Sequence, residues 1–178
     1  MTKQTLRLCL DLNVFVADFL TRRAGREAGA CGTLVDAAAG LTQAALTVQL
    51  VTSWGMLNRL SDVLVRLGAS DDDAEAYARN LIVIAALGEE YEAPHLTLGG
   101  TGVAPLTDPE DRHVLETALA GRATVLATAD IGGFRTRHAA ELVRGRHLVV
   151  KGSAGQRMHI AHPALAATWL RTGSIPKS

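Results

Sequence analysis

Aromatic residues are scarce in this chain, with three phenylalanines, two tyrosines and two tryptophans among 178 residues. A surface that grips single-stranded nucleic acid by stacking successive bases on aromatic rings is therefore not expected. Trp54 and Trp169 are read instead as packing residues. Cysteine is rarer still. Cys9 sits inside an apolar run and Cys31 beside glycine, without a second Cys or His at metal-site spacing, so both are read as inert thiols. There is no run of about 18 uninterrupted apolar residues and no basic-then-apolar leader. Secretion and membrane spanning are not indicated, and the cytoplasm is the expected location.

Net charge is also lacking: 18 basic residues balance 18 acidic ones. The balance hides a segregation. Residues 71–116 carry 2 basic and 11 acidic side chains, whereas residues 135–178 carry 8 basic and 1 acidic, the basic ones being Arg135, Arg137, Arg144, Arg146, Lys151, Arg157, Arg171 and Lys177. A basic face beside clustered carboxylates is what a phosphodiester substrate needs. A solvated surface whose charges balance in three dimensions explains the same counts. The length and the 48% apolar content suit one domain, residues 1–178, with a substantial core.

Leu6–Leu10 reads as a short buried strand ended by Asp11, and Val14–Arg23 follows with helical spacing. Leu46–Val51 reads as a second strand. Ser53 then caps a helix whose apolar positions Met56, Leu57, Leu60, Val63, Leu64 and Leu67 run to Gly68. Ser70 and three aspartates start another helix, continued by Ala74–Leu87, before an irregular stretch from Glu89 to Thr107. Asp108 caps the next helix with Pro109 at its first position, and Ala123–Ala127 is a strand. A loop at Asp130–Phe134, a helix at Thr136–Val143, a strand at His147–Val150 and a helix at Pro163–Arg171 complete the expectation. Strands alternating with helices predict a three-layer α/β/α sandwich around a mostly parallel central sheet.

In such a sheet the carboxyl ends of the strands share one edge, so Asp11, Asp111 and Asp130 converge although they lie far apart in sequence. Each has a plainer explanation taken singly. Asp11 can cap a helix, Asp111 can complement a helix dipole, and Asp130 before Gly132-Gly133 can close an Asx-turn. Clustered carboxylates repel one another and are usually held together by a divalent cation, here through Asp11, Asp111 and Asp130 as metal ligands and catalytic residues. Asn13, Ser53 and Thr128 are the candidates for positioning water or phosphate.

The motifs Leu10-Asp11-Leu12-Asn13-Val14-Phe15, Ser53–Leu64, Asp108–Leu115 and Val125–Asp130 resemble, in order and spacing, the segments of the PIN-domain family of metal-dependent nucleases, which includes VapC-like toxins. Even His162-Pro163-Ala164-Leu165 is similar to the family's closing helix. The resemblance covers nearly the whole chain. It implies a ribonuclease acting on single-stranded RNA, with Mg²⁺ or Mn²⁺ held by acidic residues, often as a homodimer neutralised by an antitoxin protein. With three carboxylates, one weakly bound ion is expected.

Two positions depart from the family pattern. Arg59 stands where an acid, usually Glu, follows the serine by six residues, and Gly133 stands where an acid precedes the phenylalanine. Arg59 pointing into the cluster would pair with Asp11 or Asp111 and neutralise it without a metal. Asp62, one helical turn later, would then be a partial substitute for the missing acid. This leaves a second reading open, a degenerate PIN domain that binds RNA or a protein without cleaving. A small phosphotransfer or phosphatase-type protein also uses acids at strand ends, but no segment supplies its nucleophile motif. Gly99-Gly100-Thr101-Gly102 lacks a P-loop's lysine and following helix, and Lys151-Gly152-Ser153 lacks the upstream glycine. His159 and His162 have no partner completing a zinc set and are read as surface or cap residues, while His113 is expected to point away from Asp111.

Overall fold

A computed structural model describes residues 5–42, 45–87, 96–97, 106–151 and 155–176. The Gly99–Gly102 segment, Gly152, Ser153 and Lys177 lie outside the described residues. Strand β1 (Thr5–Leu10) is buried almost throughout, as a strand covered on both faces must be. Leu6, Leu8 and Leu10 enter one apolar cluster and Cys9 enters another, the alternation that a pleated strand imposes. Leu8 and Leu10 are wholly buried, each stabilising the fold by about 1.5–3 kcal/mol.

The chain continues through α1 (Leu12–Arg23), α2 (Ala30–Ala38), β2 (Thr47–Ser53), α3 (Trp54–Arg66), α4 (Asp71–Ala86) and the short β3 (Leu96–Thr97). Then come α5 (Pro109–Ala120), β4 (Val125–Ala127), a 3-10 turn at Gly132–Phe134, β5 (Ala139–Val143), β6 (His147–Lys151), β7 (Arg157–Ala161) and α6 (Pro163–Thr172). Among the described residues the strands lie in the order β3-β2-β1-β4-β7-β6-β5. Pairings among β3, β2, β1, β4 and β7 are parallel, and β6 runs antiparallel to both β7 and β5. One face of the sheet packs on α1, α2, α3, α4 and α6, the other chiefly on α5 and Phe134. These are the three layers of an α/β/α sandwich with a mostly parallel sheet.

The expected helix at Thr136–Val143 is a strand instead. Ala139–Val143 pairs antiparallel with β6 through a hairpin in which Gly145 adopts φ 65°, a left-handed conformation that glycine takes without Cβ strain. The apolar pairs Ala139-Ala140 and Leu142-Val143 imitate helical spacing, but the segment has no cap and its end is set by that turn. Helix α2 and strand β7 were not expected from the sequence. Strand β7 takes the place between β4 and β6, and its Ile160 and Ala161 complete both apolar clusters. Among the described residues no helix is long and apolar enough to cross a membrane.

Candidate active site

The parallel register brings the ends of β1, β2, β4 and β7 to one edge, where Asp11, Ser53, Thr128 and His162 follow or close the strands. Asp11 prolongs the sheet, its backbone N–H donating to Ala127 O at 3.0 Å, before the chain turns into α1. Its side chain is 6% exposed and held on both oxygens. Oδ1 caps α1 by accepting from Leu12 N at 2.6 Å, and Oδ2 accepts from Asn13 Nδ2 at 2.6 Å and Thr128 Oγ1 at 2.7 Å. Burial raises the Asp11 pKa, Thr128 and the Leu12 N–H pull it back, and the charges of Asp130 and Glu110 raise it again.

Asn13 and Thr128 tie the same junction together. Asn13 Nδ2 also donates to Thr128 Oγ1 at 3.0 Å, and Asn13 Oδ1 accepts from Ala129 N at 3.1 Å. Thr128 Oγ1 accepts from Asp130 N at 3.0 Å. The turn after β1 and the turn after β4 are thereby welded across about 115 residues of sequence. Asp130 also makes the Asx-type contact, Oδ1 accepting from Gly133 N at 3.2 Å.

Asp111 enters from the other layer. Asp108 caps α5, its Oδ1 accepting from Glu110 N at 2.7 Å and Asp111 N at 3.3 Å, and Pro109 occupies the first helical position. The Asp111 carboxyl is raised to about 6, first by burial and then by the charges of Asp11, Asp108, Asp130 and Glu110. Its carboxylate and that of Asp130 both flank the Cα of Gly133. A Cβ added there would collide with Asp111 Oδ2 and stand 3.3 Å from Asp130 Oδ2. A side chain at 133 would therefore displace the end of the Asp111 side chain, which here occupies that space.

Ser53 lies deeper, wholly buried. It caps α3 by accepting from Met56 N at 3.2 Å, accepts from Thr117 Oγ1 at 3.1 Å, and shares a 2.9 Å hydrogen bond with His113 Nε2. The structure thus brings Asp11, Asn13, Thr128, Asp130 and Asp111 together and sets Ser53 in a neighbouring network with His113 and Thr117. Sequence reasoning missed that network. The four-residue spacing of His113 and Thr117, which puts both on one face of α5, was the available signal.

Arg59 does not enter the cluster. Its Nε pairs with Glu110 Oε1, and both side chains are nearly half exposed. Neutralisation of Asp11 or Asp111 by Arg59 is therefore not what the structure contains. Asp62 is exposed and lines a groove with Asp71 and Glu75 between α3 and α4, so it does not replace the acid. His159 is corrected from the surface to the interior: it is 2% exposed and its Nδ1 lies 2.9 Å from His147 Nε2. The Trp169 ring meets both imidazoles in T-shaped contacts, whereas Trp54 is 41% exposed and does not pack in the core. His162 caps α6, accepting from Ala164 N at 3.3 Å. Burial pushes up the thiols of Cys9 and Cys31.

A family model described as PIN domain matches residues 7–132. The chain belongs to the PIN-domain family. The match runs from β1 to the residue before Gly133 and so takes in Asp11, Asp111 and Asp130. No curated protein and no solved structure matches the chain. PIN domains have a nuclease-like fold, their nucleases act on RNA, and they generally depend on a divalent metal.

The donor set of this PIN domain suits a hard divalent cation. It is all oxygen, and the Asp11 and Asp111 carboxyls are raised first by burial and then by the charge of neighbouring carboxylates, a charge that a cation would offset. Among the described residues, however, no three His, Cys, Asp or Glu side chains are grouped closely enough to enclose a metal.

Proposed function

We propose that this PIN domain is a metal-dependent ribonuclease hydrolysing phosphodiester bonds of single-stranded RNA, the toxin of a toxin-antitoxin pair or a relative of one. The observation that carries the proposal is the approach of the Asp111 and Asp130 carboxylates on either side of Gly133, with the Asp111 carboxyl raised to about 6 and Arg59 paired to Glu110 rather than to either of them. Carboxylates crowded together at a sheet edge are costly to a fold and often mark sites where chemistry uses them.

Asp11, Asp111 and Asp130 are the proposed metal ligands and catalytic residues. Asn13 and Thr128 hold Asp11 and Asp130 in place by hydrogen bonds. Ser53, wholly buried, fixes the start of α3 and does not reach water or phosphate as the sequence suggested. A Mg²⁺ or Mn²⁺ ion held by the three aspartates would supply the charge that activates water and stabilises the leaving oxygen. Water adds at phosphorus, the bond to the leaving oxygen breaks, and the strand ends in a hydroxyl and a phosphate. The exposed arginines of the β5–β6 hairpin, Arg144 and Arg146 among them, offer the strand a cationic approach. An antitoxin protein and a homodimer follow from the VapC-like motifs and are part of the same proposal.

The test is cleavage of single-stranded RNA in Mn²⁺ by the wild-type chain and Asp11→Asn. Cleavage that requires Mn²⁺ and falls at least a hundredfold in the variant supports the proposal; equal cleavage by both overturns it. A second reading, a PIN domain that binds RNA or a protein partner without catalysis, is favoured by the bonds that already occupy both Asp11 oxygens. RNA binding that persists without metal, in a chain that never cleaves, would decide for it.

A further inference from the structure

Beside the acidic cluster a cavity of ≈ 420 Å³ opens between α3 and α5. Its apolar walls are Leu12, Met56, Pro109 and Val114. Its polar lining is Arg59, Glu110 and His113. Two of these residues are joined directly to the site, since Leu12 follows Asp11 and Glu110 precedes Asp111. A nucleotide whose phosphate lay at the carboxylates would have this cavity within the reach of its own base. The chemistry of the lining suits a base, combining apolar walls for its faces, a flat imidazole held to Ser53, and paired charged groups for its edge.

We propose that this cavity is a nucleobase subsite that selects guanine next to the scissile phosphate. The inference rests on the reading of the cluster as an RNA-cleaving site. Arg59 carries five N–H donors, and its contact with Glu110 uses Nε, so the guanidinium keeps further donors for O6 or N7. Glu110 is an acceptor with two oxygens. Guanine alone among the four bases presents two adjacent donors, N1–H and N2–H₂, next to a carbonyl acceptor, and that sequence mirrors a carboxylate beside a guanidinium. The ion pair is nearly half exposed on both sides, so exchanging part of it for a base edge costs little. Arg59, which breaks the family's acidic pattern, thereby becomes a specificity residue rather than a lost ligand.

The experiment compares four short oligouridylates, one unaltered and three carrying a single central guanosine, adenosine or cytidine. Each is titrated into the full chain with Ca²⁺ in place of Mn²⁺, and binding is read by fluorescence anisotropy. The guanosine strand is expected to bind about tenfold more tightly than the unaltered one, the size of one bidentate base contact. Glu110→Gln is expected to bring that ratio below about threefold, well under the range of such a contact. Equal binding of all four strands, binding of none, or a ratio unchanged in Glu110→Gln overturns the subsite. Cleavage of the same strands in Mn²⁺ is scored separately, so a nuclease without base preference and a base-selective binder without cleavage give different results.

Discussion

The Asp111 carboxylate lies against the Cα of Gly133, in the space that a side chain at 133 would occupy. The two residues come from different elements, α5 and the turn after β4, and Asp130 flanks the same glycine. Gly133→Ala forces Asp111 aside. Because the atom it meets is the end of a partly exposed side chain, the substitution is expected to cost about 0.5 kcal/mol or less and to weaken Mn²⁺ binding measured calorimetrically. Unaltered Mn²⁺ affinity would show that the contact does not shape the site.

Arg59 and Glu110 form an exposed ion pair, and such pairs contribute about 0–1 kcal/mol. Arg59→Ala should therefore leave urea unfolding within about 1 kcal/mol of wild type. If Arg59 instead neutralised Asp11 or Asp111, its removal would strand a buried charge at a cost of about 3–5 kcal/mol. The size of the loss separates the two arrangements.

Asp111 binds its proton more tightly when folded, so in metal-free protein it lowers stability as pH rises from its ordinary value of 3.8 through about 6. Above that window the full penalty is present. Asp111→Asn should accordingly be more stable than wild type at pH 7.5 in chelator, by about 1 kcal/mol after solvent screening, or about 2–4 °C in melting temperature. The difference should shrink as pH falls toward 4. A variant less stable than wild type at pH 7.5 would contradict the penalty that burial and the neighbouring carboxylates place on the Asp111 charge.

The imidazoles of His147 and His159 are both lowered, His147 by burial and then by His159, His159 by burial and then by Arg157, with the Pro176 backbone opposing. The unfolded chain therefore binds protons more readily below the ordinary value of 6.5, and the stability this pair contributes at pH 7 is lost as pH falls through the lowered folded values. His159→Gln should flatten the acid side of the melting-temperature profile between pH 7 and pH 5. A profile parallel to wild type would place the acid sensitivity elsewhere.

Much of the sheet was legible because β1, β2 and β4 are short apolar runs that end in polar residues, and the helices between them carry caps such as Ser53, Ser70 and Asp108. Strand β5 was misread because two apolar pairs imitate helical spacing and the hairpin turn at Gly145 was overlooked. The convergence of Asp11, Asp111 and Asp130 follows from parallel topology, which alternating strands and helices imply. What local pattern could not reveal were contacts set by packing between layers. Arg59 meets Glu110 instead of the cluster, His113 reaches Ser53, and Gly133 yields its space to Asp111. Each joins residues distant in sequence, and no spacing rule encodes such contacts.

The account turns on whether the three aspartates hold a cation. Calorimetric titration of Mn²⁺ into chelator-treated protein at pH 7.5 tests this most directly, with Asp111→Asn and Asp130→Asn alongside. One ion bound in the micromolar to millimolar range, with affinity reduced at least tenfold in each variant, is the predicted result. Absence of binding heat at millimolar Mn²⁺, or binding indifferent to both substitutions, would contradict it.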